Sequence, residues 1–325
     1  MKRVHAILFG AGLLLLAYLV ARTGPARLWA DVERFGWGLA LFVALEAVAD
    51  VFHSFGMRLA FARGRRTVPL AALWGVRNAG TAVNYLTPTA SIGGEVAKVA
   101  LLERWIPRSA AAAGVMVDKL SYVAAQLGLA GLGTAVLAWW IPLDRRLASA
   151  LFVTGAAVGI GCFGFFWFQL TGRMGWLVRR VLGRRLGEQA LKVAGDVDED
   201  LRAYYREHPW ALVASILWHV AGLAVGIGAT WLFLWWVVGR ASWLFAAAIW
   251  MIGTLIDIAA FAVPAGVGAQ EGGRMLVFAL LGLPQSAGLS YGVVLRIEQI
   301  FYAGLGMLLF PFLIAGRTAA IRARR

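Results

Sequence analysis

Long apolar runs alternate with short polar ones along the whole chain, a pattern that predicts membrane-crossing helices. A helix needs about 20 apolar residues to cross the hydrocarbon core of a bilayer. Six runs predict full crossings, near residues 5–22, 37–61, 109–140, 148–171, 210–238 and 286–314. The first run has a poor cleavage region, with Arg22 and Pro25 where a signal peptide needs small residues, so we interpret it as an uncleaved span.

Two further apolar stretches, residues 68–104 and 243–283, are interrupted by Pro and Gly near their middles. Because proline breaks a helix, each stretch predicts either two crossings or a re-entrant hairpin of two half-helices. With the N-terminus inside and both stretches as hairpins, 20 Lys and Arg fall on the cytoplasmic side and 6 on the outer side. We therefore predict an all-α polytopic protein of the cytoplasmic (inner) membrane, with six full transmembrane helices, two re-entrant hairpins and both termini in the cytoplasm.

Composition excludes several classes of protein. Of the 325 residues, 61% are hydrophobic and 15% are charged, which argues against a soluble globular protein, a disordered protein and a nucleic-acid binder. The net charge of +14 is then typical of cytoplasmic loops and of contact with anionic lipid. The single cysteine, Cys162, excludes an intramolecular disulfide and a Cys-based metal cage. We expect no cofactor and no metal.

The two interrupted stretches resemble each other. Residues 88–98 read PTASIGGEVAK and residues 264–274 read PAGVGAQEGGR, so both contain Pro, six residues, Glu, two residues and a cation. We predict one transmembrane domain, residues 1–325, with repeats at about 68–140 and 243–314 and a cytoplasmic amphipathic connector at 172–209. Since the two hairpins would open to opposite sides, the repeat is predicted to be inverted, and transporters of that design bind substrate between the repeats.

Twelve charged residues fall within the predicted membrane segments. They are Arg77, Lys98, Lys119, Arg274, Arg296, Glu46, Asp50, Glu95, Asp118, Asp257, Glu271 and Glu298. Left unpaired at mid-bilayer, they would cost on the order of 30–40 kcal/mol, which exceeds the net stability of a protein. We therefore expect them to be paired, hydrated or close to an interface.

The repeated motifs supply the candidate substrate-binding residues. A half-helix that begins after a break presents free N–H groups, which bind anions. A glutamate and a cation three residues apart share one helical face and suit a phosphate, a zwitterionic head group or a proton. The alternative is that the motifs serve helix packing only. The predicted set is Arg77, Asn84, Pro88, Gly93, Gly94, Glu95, Lys98, Asp118, Lys119, Pro264, Gly266, Gly268, Glu271, Arg274 and Arg296.

Histidines and acids elsewhere suggest a second candidate. Glu46, Asp50 and His53 share one face of the second span. They predict a proton or cation relay, or alternatively a polar seam satisfied by neighbouring helices. His219 stands alone on an apolar helix, and we interpret it as a core or interfacial histidine with a hydrogen-bond partner.

At PTASIGGEVAK, VDKLSYVAAQ and VPAGVGAQEGGRMLVFALLGLP the chain resembles the flippase-like membrane proteins related to the transmembrane region of lysylphosphatidylglycerol synthase. It is most similar in pattern to the hopanoid-associated branch. The resemblance implies lipid translocation rather than an enzyme, with a membrane lipid as partner that carries an anionic, zwitterionic or hopanoid-like head group. Where the family often has Glu-Arg, this chain has Asp118-Lys119, and lysine lacks the forked grip of arginine on phosphate.

Two other functions remain open from the sequence. The first is a membrane-embedded enzyme that modifies lipid head groups, with Glu95 or Glu271 as general base. The second is a secondary transporter of an ion or a small solute that uses the same repeat.

Overall fold

The computed structural model describes residues 14–62, 67–86, 92–140, 145–173, 188–259 and 266–323, together with residues 176, 180 and 263. Within these ranges the chain is helical and has no strand. The described helices are α1 (Leu14–Thr23), α2 (Pro25–Phe35), α3 (Trp37–Leu59), α4 (Leu70–Leu86), α5 (Ile92–Leu102), α6 (Arg108–Trp140), α7 (Arg145–Leu170), α8 (Glu188–Glu207), α9 (Pro209–Phe233), α10 (Trp243–Ala259), α11 (Ala269–Leu280) and α12 (Gln285–Ala323). A π-helical turn, Leu234–Val238, extends α9.

Three of these helices are long and apolar enough to cross a membrane: Trp37–Leu59, Pro209–Val238 and Gln285–Ala315. Large apolar side chains on the outer surface of the bundle are strongly exposed, among them Trp37, Phe152, Trp210 and Phe312. Exposed apolar area of this kind indicates contact with lipid. The all-α, membrane-protein part of the prediction is therefore supported, whereas six full crossings with two re-entrant hairpins stay a prediction.

Each of the two interrupted stretches contains two helices. α4 ends at Leu86 and α5 begins at Ile92, while α10 ends at Ala259 and α11 begins at Ala269. The second break contains Gly266 with φ +61° and Gly268 with φ +75°, a left-handed conformation that favours glycine. The two prolines of the motifs, Pro88 and Pro264, lie outside the described residues.

The helices of the two stretches pack in matching ways. α4 packs against α5 and α12, and α10 packs against α11 and α6. The first helix of each stretch thus contacts the long helix that follows the other stretch. A two-fold repeat would produce this exchange, and its inverted orientation stays a prediction.

The helices that precede the two stretches, α3 and α9, cross each other closely. A Cβ atom added at Gly56 would lie 2.8 Å from the imidazole Nε2 of His219, and one added at Gly222 would lie 2.6 Å from Cε1 of His53. Each histidine stands three residues before the glycine of its own helix. The two helices therefore approach at glycines, as small residues permit in membrane bundles, and each imidazole covers the glycine of the other helix.

The connector helix α8 packs against the bundle. Val197, Leu201 and Tyr204 are buried against Ala113 and Val117 of α6. The Tyr204 hydroxyl also donates a hydrogen bond of 3.2 Å to the Leu59 carbonyl at the end of α3. The apolar face of α8 is therefore covered by protein. Most of the basic part of the predicted connector lies outside the described residues, and its position on the cytoplasmic leaflet stays a prediction.

Candidate functional site

A polar cavity of about 370 Å³ lies between α3, α4, α5, α6 and α12. Its walls carry charged, amide and hydroxyl groups in a bundle whose outer surface is apolar. The lining residues are Glu46, Asp50, His53, Arg77, Asn78, Thr81, Asn84, Tyr85, Glu95, Lys98, Asp118, Lys119, Tyr122, Glu298, Gln299 and Tyr302. Many predicted site residues of the first repeat and the whole row Glu46, Asp50 and His53 thus face one space.

At one end of the cavity a single carboxylate contacts two lysines. Lys98 Nζ lies 3.0 Å from Glu95 Oε2, and Lys119 Nζ lies 3.7 Å from Glu95 Oε1. The Lys98 side chain is 9% exposed and the Lys119 side chain is 40% exposed. Because one negative charge faces two positive charges, this end of the cavity carries a net positive charge.

Glycines on α4 and α5 make room for this arrangement. A Cβ atom at Gly80 would lie 2.7 Å from Cε of Lys98, and one at Gly94 would overlap the Gly80 carbonyl and the Asn84 side chain. The Gly94 N–H donates a hydrogen bond of 2.6 Å to the Asn84 side-chain oxygen. Asn84 thus satisfies a backbone donor at the start of α5, so that donor is not free to bind an anion.

Arg77 occupies the centre of the cavity between two aspartates. Its NH1 lies 3.5 Å from Asp118 Oδ2, and its Nε lies 3.9 Å from Asp50 Oδ1. Asn78 donates a hydrogen bond of 3.0 Å to Asp50 Oδ2. Both aspartates are therefore engaged by protein groups.

A pair of histidines extends from Asp118 to the α3–α9 crossing. His219 Nε2 lies 3.1 Å from Asp118 Oδ1, and the Nδ1 atoms of His53 and His219 lie 3.0 Å apart. An ionised carboxylate only accepts hydrogen bonds, so Nε2 of His219 donates. With His219 neutral, its Nδ1 accepts and His53 donates from Nδ1. His219 is buried with both ring nitrogens hydrogen-bonded, and it connects the predicted relay row to Asp118.

The second motif does not line the cavity. Glu271 is 1% exposed; its Oε2 accepts a hydrogen bond of 2.8 Å from the Gly268 N–H. Its Oε1 accepts from Arg296 at 2.7 and 2.9 Å. The start of α11 is therefore filled by the helix's own carboxylate, and the open anion site expected at this N-terminus is not formed.

Arg274 has a separate partner. Its guanidinium forms two hydrogen bonds with Asp257, through NH1 to Oδ1 at 3.2 Å and through NH2 to Oδ2. Arg296 connects the second repeat to the cavity wall, because its NH1 donates a hydrogen bond of 3.2 Å to the Tyr85 hydroxyl. The sequence predicted one binding site formed by both motifs. In the described residues the first motif lines the cavity, whereas the charged residues of the second motif form ion pairs beside it.

Pairing accounts for ten of the twelve charges that the sequence places in the membrane. All five cations have carboxylate partners: Asp50 and Asp118 for Arg77, Glu95 for Lys98 and Lys119, Asp257 for Arg274, and Glu271 for Arg296. Across the part of the chain that the structure describes, Glu46 and Glu298 have neither an ion pair nor a hydrogen bond from a protein side chain. Both line the cavity.

Several residues that line the cavity were not predicted from the sequence: Asn78, Thr81, Tyr85, Tyr122, Gln299 and Tyr302. Glu298 was predicted only as a charged residue within a membrane segment. A signal was available on α4, where Asn78, Thr81 and Tyr85 follow at helical spacing next to the predicted site residues Arg77 and Asn84. In the described ranges no group of three or more His, Cys, Asp and Glu side chains is placed to hold a metal ion.

Comparison with protein families assigns most of the chain to one family model. The sequence model of the lysylphosphatidylglycerol synthase transmembrane region matches residues 4–306. No curated protein and no solved structure matches the chain.

Proposed function

Since the chain belongs to the family of the lysylphosphatidylglycerol synthase transmembrane region, we propose that it translocates a membrane lipid whose head group enters the polar cavity. The lipid tails stay in the hydrocarbon, and the protein resides in the inner membrane with both termini in the cytoplasm. The hopanoid-associated branch of the family remains the more specific prediction from sequence.

The observation that carries this proposal is the excess positive charge at Lys98 and Lys119. Ionised residues within membrane segments are costly, and they are retained where they bind or conduct something. Lysine ammonium groups bind phosphate as point charges. Lys119 is the more exposed of the two lysines and faces the cavity. Because Glu95 does not fully neutralise the charge of the two lysines, a phosphate in the cavity can bind to Lys119.

The packing of the helices supports a route across the membrane. Because α4 contacts α12 and α10 contacts α6, a movement of one interrupted stretch against the other would change the walls of the cavity. In the proposed cycle the cavity opens alternately to the two leaflets. The second repeat, in which Glu271 pairs with Arg296 and Asp257 pairs with Arg274, stabilises the bundle. Arg296 connects it to the cavity through Tyr85.

The test is leaflet exchange of a fluorescent phospholipid in liposomes that contain the purified protein. Lys98→Gln and Lys119→Gln are expected to lose most of the exchange. Lys192→Gln, which removes a lysine from an exposed position on α8, is the matched control and is expected to exchange like the wild type. Equal exchange by all four proteins would contradict the proposal. Mass spectrometry of the same lipids tests the enzyme alternative, which predicts a new lipid species.

A secondary transporter of ions is a second candidate, and the hydrogen-bonded row from His53 through His219 to Asp118 favours it. It predicts flux of a proton or a water-soluble tracer with no dependence on lipid type. Measurement of proton uptake in the same liposomes separates the two functions.

A further inference from the structure

We propose that the cavity recognises a zwitterionic head group, with the phosphate at Lys98 and Lys119 and an ammonium group at Glu46 and Glu298. This inference rests on the proposed lipid function and names its substrate class. The amine is placed at Glu46 and Glu298 because the glutamates of the two motifs, Glu95 and Glu271, are already paired with protein cations.

The phosphate end follows from an asymmetry between the two repeats. In the second repeat two carboxylates, Glu271 and Asp257, balance two arginines. The offset of 176 residues that aligns the motifs places Thr81 where the second repeat has Asp257. In the first repeat the two lysines therefore share one carboxylate partner, Glu95.

The exposed fractions agree with this asymmetry. Arg296, paired with Glu271, is 13% exposed, whereas Lys119, its counterpart beside Glu95, is 40% exposed. The pair in the second repeat is closed, and the cation in the first repeat faces the cavity. Lys119 is therefore the more accessible of these two cations to a mobile anion.

The ammonium end follows from Glu46 and Glu298, which have no ion-pair partner among the residues that the structure describes. Five carboxylates and three side chains of Lys and Arg line the cavity. The central group Asp50, Arg77 and Asp118 is held together by its own contacts, so Glu46 and Glu298 are the cavity carboxyls that have no cation beside them among the described residues. A carboxylate without a counter-ion in an apolar setting takes up a proton or binds a cation, and an ammonium group between Glu46 and Glu298 would hold both carboxylates ionised.

Geometry brings these two acids to the same end. The Tyr302 hydroxyl of α12 donates a hydrogen bond of 2.7 Å to the Val43 carbonyl of α3. Glu298 stands one turn before Tyr302, and Glu46 stands three residues after Val43. Both glutamates also border a smaller apolar cavity lined by residues such as Phe42, Leu45 and Leu295. The apolar walls limit hydration of the carboxylates and strengthen their attraction for an ammonium group.

The central residues separate the two ends. Glu46 lies one helical turn from Asp50, Asp50 contacts Arg77, and Arg77 contacts Asp118, which precedes Lys119 in the chain. The cavity thus presents acids at one end and lysines at the other. A head group that carries phosphate and amine at opposite ends satisfies both, whereas a purely anionic head group satisfies only the lysines.

The test compares three short-chain lipids by calorimetry with the purified protein. They are dihexanoyl phosphatidylethanolamine, its N-acetylated form and dihexanoyl phosphatidylglycerol. We expect phosphatidylethanolamine to bind about tenfold more tightly than the other two, the effect of losing a hydrogen bond to a charged group. Equal affinities for the amine and its N-acetylated form would overturn the inference, and this comparison needs no variant protein.

Variants then assign the ends. Glu46→Gln combined with Glu298→Gln is expected to remove the preference for the free amine and to keep binding of phosphatidylglycerol. Lys119→Gln is expected to weaken the binding of all three lipids. The matched control is Glu199→Gln combined with Glu207→Gln on the exposed side of α8. A preference for the amine that survives in the Glu46 and Glu298 variant overturns the inference. Lipid exchange by the wild type without an amine preference refutes this inference alone, whereas absence of exchange refutes the proposed function.

Discussion

His53 and His219 meet through their Nδ1 atoms, 3.0 Å apart, where α3 crosses α9. Each ring lies against a glycine of the opposite helix, His53 against Gly222 and His219 against Gly56. The crossing therefore combines a polar contact with close packing. It also positions His219 to orient Asp118, which in turn contacts Arg77 in the cavity.

Gly222→Ala is expected to destabilise the protein by about 1–3 kcal/mol, because an added methyl group would overlap the His53 ring in a packed core. Gly228→Ala on the same helix is the control, since a Cβ atom there meets no other atom within 4 Å. Thermal unfolding in detergent measures the difference. Identical unfolding temperatures for the two variants would show that the crossing is not tightly packed.

Glu271→Gln and Glu95→Gln compare the buried glutamate of the second motif with the glutamate that borders the cavity. Loss of the buried Glu271 carboxylate leaves Arg296 without its ion-pair partner, a change that costs about 3–5 kcal/mol when such a pair is broken. Glu95 is more exposed and borders the cavity, so its replacement is expected to cost less stability. Lipid exchange is expected not to fall, because the change removes a negative charge beside Lys98 and Lys119. Denaturation and exchange assays on both variants test this, and equal losses of stability would contradict it.

Thr81→Asp is expected to close the site of the first repeat. It places a carboxylate where the second repeat has Asp257, so Lys98 and Lys119 would share two negative charges. Binding of dihexanoyl phosphatidylglycerol is expected to fall by about tenfold, as for loss of one hydrogen bond to a charged group. Thr81→Asn, of nearly the same size and without charge, is the control and is expected to bind like the wild type. Unchanged binding by Thr81→Asp would refute the charge argument.

The parts of the site that depend on spacing within one helix could be predicted from the sequence. Glu95 and Lys98 are three residues apart and share a face, and Glu46, Asp50 and His53 all face the cavity. The ion pairs between different helices were not predictable in this way. Tertiary packing brings Glu271 to Arg296 and Arg274 to Asp257. The second motif therefore resembles the first in sequence, but its charged residues are paired with protein groups.

The contact between His53 and His219 also could not be predicted from the spacing of residues within one helix. His53 and His219 are 166 residues apart, and an isolated histidine on an apolar helix gives no sign of its partner. The structure shows a weak signal in retrospect, since both α3 and α9 carry a histidine three residues before a glycine. Single polar residues such as Tyr85 and Tyr302 were missed because one hydroxyl on an apolar helix is compatible with ordinary packing.

The central claim is that lipid head groups pass through the cavity, and reversible blocking of the cavity tests it most directly. Gln299 lines the cavity, so Gln299→Cys in a Cys162→Ser background places one thiol there. The same liposomes are assayed for lipid exchange before modification, after reaction with a charged methanethiosulfonate reagent, and after reduction. If head groups pass through the cavity, exchange is lost on modification and returns on reduction, while the wild type with Cys162 is unaffected. An unchanged rate with the Gln299→Cys thiol fully modified would contradict the account.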